Sequence, residues 1–229
     1  MSGEGSGWQE VAEVFDDRAE EYDRWFENSL PFQIELQTLR ELETPLRSPK
    51  LEVGVGSGRF AAALGLEFGV DPALSPLRKA AGRGVAVARA VGEFLPVRPG
   101  GVKTIFLLFT LCFLGDPRRV LAECHRVLPR EGHLVLGVVN GASRWGEMLR
   151  RKKREGNPFY RHARFYEKEV VLAWLAETGF SLIEGRSALF QEPEALRGPE
   201  KSKPGLSGYA GFLVMVAGKN KKGGLEPDS

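Results

Sequence analysis

The sequence is poor in the residues that build metal centres and disulfide frameworks. Among its 229 residues are two cysteines, Cys112 and Cys124, and three histidines, His125, His133 and His162. A structural zinc site needs a set of four such ligands at short spacing, and none can be assembled here, so no metal is expected. Two cysteines do not staple a fold either; both read as thiols in a reducing compartment. Long apolar runs are missing as well. The longest, residues 105–114 with Thr110 inside it, is far too short to span a membrane, and the acidic opening MSGEGSGWQEVAEVFDD lacks the apolar stretch of a secretory signal. A cytoplasmic protein without a membrane span is expected. An excess of one charge is also absent: 32 basic against 30 acidic side chains leave a net charge of +2, which by itself argues neither for nor against nucleic acid.

What remains is an ordinary globular composition, 42% hydrophobic, in a chain long enough for one α/β domain. Residues 8–47 carry apolar side chains at helical spacing and read as two helices separated by Pro31. From there short apolar runs alternate with helical stretches, the pattern of parallel βαβ units. Strands are predicted at 51–55, 66–70, 85–88, 104–109, 133–139, 180–186 and 208–217. Helices are predicted at 59–64, 76–83, 117–127, 143–154 and 167–178, the last closed by Gly179. The expected architecture is a doubly wound, mostly parallel sheet of seven strands. It divides into an N-terminal helical segment (1–47), a Rossmann-like domain (48–218) and a disordered tail (219–229).

The strongest local signal is the run Leu51-Glu52-Val53-Gly54-Val55-Gly56-Ser57-Gly58-Arg59-Phe60. It sets a glycine-rich turn between a strand and a helix, where backbone approaches a ligand with no side chain in the way. A dinucleotide fingerprint, G-x-G-x-x-G, would need glycine where Arg59 stands, which disfavours a nicotinamide-dependent oxidoreductase. The spacing present is E-x-G-x-G-x-G. Glycines for close approach and a carboxylate for an ammonium suit a zwitterionic ligand. Asp71 closes the second strand, where nucleoside-binding α/β folds hold ribose hydroxyls; it is equally placed to cap the following helix.

With these features, residues 51–140 resemble the class I S-adenosylmethionine-dependent methyltransferases of the menaquinone- and ubiquinone-methylating type, the type 11 group. Glu52, Gly54, Gly56 and Gly58 match its acidic-x-G-x-G-x-G turn and Asp71 its ribose ligand. Glu93, ahead of Leu95-Pro96, matches an acidic residue near the adenine. The run from Arg126 to Gly132 resembles its turn into the fifth strand. Residues 15–23, Phe-Asp-Asp-Arg-Ala-Glu-Glu-Tyr-Asp, resemble its opening helix. The resemblance implies S-adenosylmethionine as cofactor and a lid over it, with Tyr22 facing the cofactor and Trp25 the acceptor. The chain departs from the pattern at Val91 and Lys103, where the family carries aspartates, so adenine recognition is expected to rest on Glu93 and on backbone around Phe94.

Ligands in open α/β sheets sit beyond the carboxyl ends of the strands, which points Thr110, Cys112 and Asn140 at the acceptor. Methyl transfer needs proximity more than a triad, and a base only if the acceptor must lose a proton. Candidates for that base are His162 and, beside it, Tyr160. The expected partner is a small-molecule acceptor. The basic run Arg150–Arg154 leaves an RNA or protein methyltransferase as one alternative, and the scarcity of bases leaves a non-catalytic S-adenosylmethionine-binding protein as another.

Overall fold

The computed structural model describes residues 7–220. Three helices open the chain where the sequence predicts two: α1 (Trp8–Asp17), α2 (Ala19–Arg24) and α3 (Leu30–Arg40). The break falls at Asn28, whose φ of +53° leaves the helical region. Ser29 then caps α3 by accepting from the Phe32 N–H at 3.3 Å. Pro31 therefore sits in the first turn of α3, where its missing N–H costs no helical hydrogen bond, and does not separate two helices.

The alternating pattern then folds as β1 (Lys50–Val53), α4 (Arg59–Leu64), β2 (Phe68–Asp71), α5 (Leu74–Gly82), β3 (Ala86–Arg89), β4 (Thr104–Leu108), α6 (Pro117–Val127), β5 (His133–Val139), α7 (Arg144–Arg154), α8 (Lys168–Glu177), β6 (Phe180–Ala188), β7 (Lys203–Pro204) and β8 (Phe212–Lys219). The sheet runs β3-β2-β1-β4-β5-β8-β6-β7. Strands β1 to β5 are parallel to one another, and β8 enters antiparallel between β5 and β6. The seven expected strands are all present; the two-residue β7 at the edge is an addition. Strand order reverses between β1 and β4, which leaves a crevice beyond their carboxyl ends.

Period-two alternation sorts the central strands between two cores. Ile105, Leu107, Leu134, Leu136, Leu213 and Met215 face α6 and α8. Phe106, Leu108, Val135, Phe212, Val214 and Val216 face α3, α4 and α5. A strand covered on both sides reads as continuously apolar, which is why 104–108 was so legible.

The last strand departs from expectation at both ends. Residues 208–211 lie in a turn held by the buried Asn140. Its Nδ2 donates to the carbonyls of Gly208 at 2.9 Å and Ala210 at 3.2 Å, while its Oδ1 accepts from the Ala142 N–H at 3.1 Å. At the other end, Lys219 still belongs to β8 and the Asn220 N–H donates to Gly179 O at 2.9 Å, so these two residues are ordered contrary to the expected tail. Residues 221–229 of that tail lie outside the described part.

Asn140 ties the end of β5 to the start of β8. Replacing it by Ala strands the buried Ala210 carbonyl and the half-buried Gly208 carbonyl, and the expected loss is about 2–3 kcal/mol in urea denaturation. A change below ~0.5 kcal/mol, the scale of an ordinary surface substitution, would show the clamp to be dispensable.

Candidate active site

A cleft of about 810 Å³, its open mouth included, occupies the crevice beyond β1 and β4. Its floor is Val53, Gly54 and Gly56, one side is Asp71 and Pro72, and the other is Phe109 and Thr110. Trp8, Val11 and Phe15 of α1 and Tyr22 of α2 cover it. An adjoining recess, sharing Tyr22, Gly54 and Phe109 with the cleft, reaches Glu52.

The glycine turn has its shape for two reasons. Gly54 stands at φ +76°, and a Cβ there would run into Oγ1 and Cγ2 of Thr110. Thr110 is fixed in turn: its hydroxyl shares one proton between Val53 O and Leu108 O, each at 3.1 Å. Gly56 stands at φ +51° with the Tyr22 ring 3.3 Å from where a Cβ would lie. Gly58 does not line the cleft; it closes against Ala80 of α5.

Asp71 braces the turn. One carboxylate oxygen accepts from the Gly56 N–H and the other from the Ala73 N–H, both at 2.8 Å. Both readings of this residue thus meet in one place, since it steadies the entry to α5 and also lines the cleft. Burial pushes its carboxyl up to about 6 against the pull of those two N–H groups. Glu52 is 2% exposed, and its Oε2 has no hydrogen-bond partner. Burial and then the charge of Asp71 push this carboxyl well above the ordinary range, with only the Ala61 N–H acting the other way. An unpartnered carboxylate oxygen beside a side-chain-free turn is a socket for a ligand's cationic group.

The comparisons with known proteins agree with this geometry. Residues 51–136 match a family model described as a methyltransferase domain. An uncharacterized protein of Mycobacterium tuberculosis is 38% identical over 200 residues, covering 86% of this chain and 70% of the relative. Another, from Methanocaldococcus jannaschii, is 34% identical over 207 residues, 90% of this chain and 98% of the relative. Among solved structures, a S-adenosylmethionine-dependent methyltransferase of Thermotoga maritima, described as a possible histamine N-methyltransferase, superposes with a TM-score of 0.84. It is 32% identical and covers 92% of this chain and 100% of its own. The chain belongs to the S-adenosylmethionine-dependent methyltransferases. S-adenosylmethionine is its cofactor.

Other site residues of this methyltransferase fall unevenly. Tyr22 and Glu93 line the cleft. Phe94 does not: it is 64% exposed, with the Arg119 guanidinium 4.3 Å above its ring, because the Leu95 N–H next to it is anchored to Glu123 of α6. Trp25 turns away from the cofactor turn to meet Phe159 at 4.5 Å and stack on Tyr160 at 5.9 Å. Asn140 is buried and spent on the clamp described above, so it does not face the acceptor. Cys112 donates its Sγ–H to Phe109 O at 3.2 Å, and burial pushes the thiol up to about 12, which leaves it an inert lining group of a separate small recess with Arg164 and Tyr166. His162 lies outside the cleft, with Nδ1 3.7 Å from Glu10. The basic run is largely engaged in the fold. Arg150 donates to Gly141 O, Lys153 to Ala163 O, and Arg151 pairs with Glu194 at 2.8 Å.

Two features escaped the sequence reading. Phe109 takes φ +57°, a conformation that bulky side chains rarely adopt, in the side wall of the cleft. Asp23 ties the lid to the body: its carboxylate receives Arg59 Nε at 2.9 Å, Arg59 Nη2 at 2.8 Å and Arg83 Nη2 at 2.7 Å, while Arg83 Nη1 grips Ser57 O in the glycine turn at 2.6 Å. The motif residues 15–23 contain this aspartate, but nothing local reveals partners so far along the chain.

Burial pushes the Asp23 carboxyl up, but hydrogen bonds from Arg59, Ser57 and Arg83 outweigh it and hold it well below its ordinary 3.8. A depressed folded-state value means the stabilisation is present above the unfolded value and is lost as pH falls below it. Asp23→Ala is expected to cost about 1–3 kcal/mol at pH 7, allowing for partly exposed arginines. That difference should shrink below pH ~4, the unfolded value; a difference constant from pH 7 to pH 3 would exclude the ion pair as its source.

Proposed function

We propose that the chain transfers a methyl group from S-adenosylmethionine to a small-molecule acceptor bound in the cleft under α1 and α2. The observation that carries this reading is the orphaned Oε2 of Glu52 beside the glycine turn, with Asp71 braced on the opposite side. In this reading Glu52 takes the ammonium of the methionine end, and the bare backbone at Gly54 and Gly56 lets that end approach. Asp71 keeps lone pairs on both oxygens for ribose hydroxyls, and Glu93 lies on the adenine side. Tyr22 closes over the turn. The bound cofactor supplies an electrophilic methyl on a sulfonium. The chain's own contribution is to hold an acceptor against it and exclude water, an effect of proximity that needs no triad.

A small acceptor is favoured because the cleft is roofed by a helix and walled by aromatic rings, and because a relative covering nearly the whole chain is described as a possible histamine N-methyltransferase. The RNA or protein alternative is given less weight, since the long stems of Arg150, Arg151 and Lys153 are oriented by contacts to Gly141 O, Glu194 and Ala163 O. The likeness to quinone methylation is not carried over: its motifs belong to the cofactor side of the site and say nothing of the acceptor.

The test is calorimetric titration with S-adenosylmethionine and S-adenosylhomocysteine. Both should bind saturably. Asp71→Ala and Glu52→Gln should each weaken binding about 10- to 100-fold while thermal unfolding stays cooperative, the scale of losing a charge-assisted hydrogen bond. Because burial lifts Asp71 to about 6, wild-type affinity should fall between pH 7 and pH 5 as the carboxylate takes up a proton, and the Asp71→Ala variant should lose that dependence. Unchanged affinity in both variants would remove these residues from the site.

A further inference from the structure

The cofactor cleft lies beyond the carboxyl ends of the parallel strands, and a separate groove opens at their amino ends. It measures about 880 Å³ with its open mouth, and Arg47, Arg130, His133 and Lys219 line it. It shares no lining residue with the cleft. Distant segments bring these cations together. The Arg47 carbonyl accepts from the Thr104 hydroxyl at 2.8 Å, which fixes that residue at the start of β4. Thr104 pairs with His133, and His133 with Gly218, so the entrances to β4 and β5 and the exit of β8 stand side by side. Arg130 sits in the turn before β5, and Lys219 ends β8.

One carboxylate, the exposed Glu131, shares the groove with them. Arg47, Arg130 and Lys219 against Glu131 leave two positive charges uncompensated there. Guanidinium groups elsewhere are paired: Arg118 with Glu177, Arg126 with Glu123, and Arg186 with Glu41, Glu43 and Glu184. Among the described residues no carboxylate pairs in this way with Arg47, Arg130 or Lys219. Burial and then the charge of Arg47 hold the His133 imidazole below its ordinary range, and burial lowers the half-buried Lys219. A desolvated cation without a counter-charge is costly, and a bound anion relieves that cost.

The groove also narrows the kind of anion. Guanidinium forks match phosphate and carboxylate, and a surplus of two charges suits a multiply charged ligand. Each phosphate group offers several strong acceptor oxygens, so a short chain of them can meet cations arriving from three segments. The volume lies within the range of small-molecule sites, roughly 300–1,000 Å³. No Phe, Tyr or Trp among the described residues lines the groove, so it offers no platform for the stacked bases of a nucleic-acid strand. We propose that this groove binds an oligophosphate, free or as the phosphate chain of a nucleotide, through Arg47, Arg130 and Lys219. The site is independent of the methyl-transfer cleft and does not rest on the function assigned to it.

The experiment is calorimetric titration of inorganic tripolyphosphate, UTP and citrate, each with and without S-adenosylhomocysteine. Tripolyphosphate should bind saturably, less tightly as salt rises from ~50 to ~300 mM, and equally well whether or not the adenosyl ligand is present. Arg47→Gln and Arg130→Gln should each weaken it about tenfold, the scale of losing one charge-assisted hydrogen bond, with thermal unfolding unchanged. The double variant Lys152→Gln/Arg154→Gln, which removes two charges from exposed positions of α7, should bind it as the wild type does. UTP that binds as tightly as tripolyphosphate supports a nucleotide as the ligand, and tripolyphosphate without UTP supports a free phosphate chain. Any of four results overturns the proposal: no saturable binding of tripolyphosphate, citrate bound equally tightly, wild-type affinity in both groove variants, or equal weakening by the α7 variant.

Discussion

The site depends on one carboxylate held between two guanidinium groups. Helices α1 and α2 bury only Ala12, Ala19 and Asp23, far too little apolar surface to fix them on the body of the fold. What fixes them is Asp23 with Arg59 and Arg83, together with the rings that Tyr22 and Phe15 set against their neighbours at 5.0 Å and beyond. Arg83 also holds the carbonyl of Ser57, so one guanidinium joins the lid to the glycine turn. The shape of the turn and the position of the lid are therefore one constraint. Asp16 reinforces it by accepting from the Ser75 N–H in the first turn of α5.

Around this frame, burial rather than any specialised cluster sets the chemistry. It removes the thiol of Cys112 from use and lifts Asp71 and Glu52, the latter also under the charge of Asp71. Two acids in a poorly hydrated cleft cannot both carry charge without a counter-ion, and a zwitterionic or cationic ligand relieves that condition.

The sequence was most informative where the physical cause is local. The bounds of α4, α6 and β5 agree with the structure because an apolar period and its terminating residues are contained in each segment. The glycine turn and Asp71 were legible for the same reason. Asn140 was misjudged because a strand end fixes where the backbone points, whereas the side chain follows the pleat, and here it turned into the fold to meet Gly208 and Ala210. The outward turn of the Phe94 side chain was not legible because its neighbour's anchor, Glu123, lies on a helix well downstream. Asp23 gave no signal, since it is defined by partners 36 and 60 residues away.

The antiparallel insertion of β8 has a consequence for how the molecule comes into being. Strands β5 and β6 do not pair with each other; β8 joins them, pairing with β5 along 212–218 and with β6 along 212–219. Of the strands described, this one leaves the ribosome last. Until it arrives, Leu134, Leu136 and Val135 have an unpaired edge beside them, and β6 has no sheet to join. Synthesis thus passes through a stage in which the sheet ends at β5 with an open apolar edge, the kind that invites pairing between nascent chains. Pairing β8 with β5 brings together residues as far apart in the chain as His133 and Gly218, a long-range step of the sort that sets a slow folding rate.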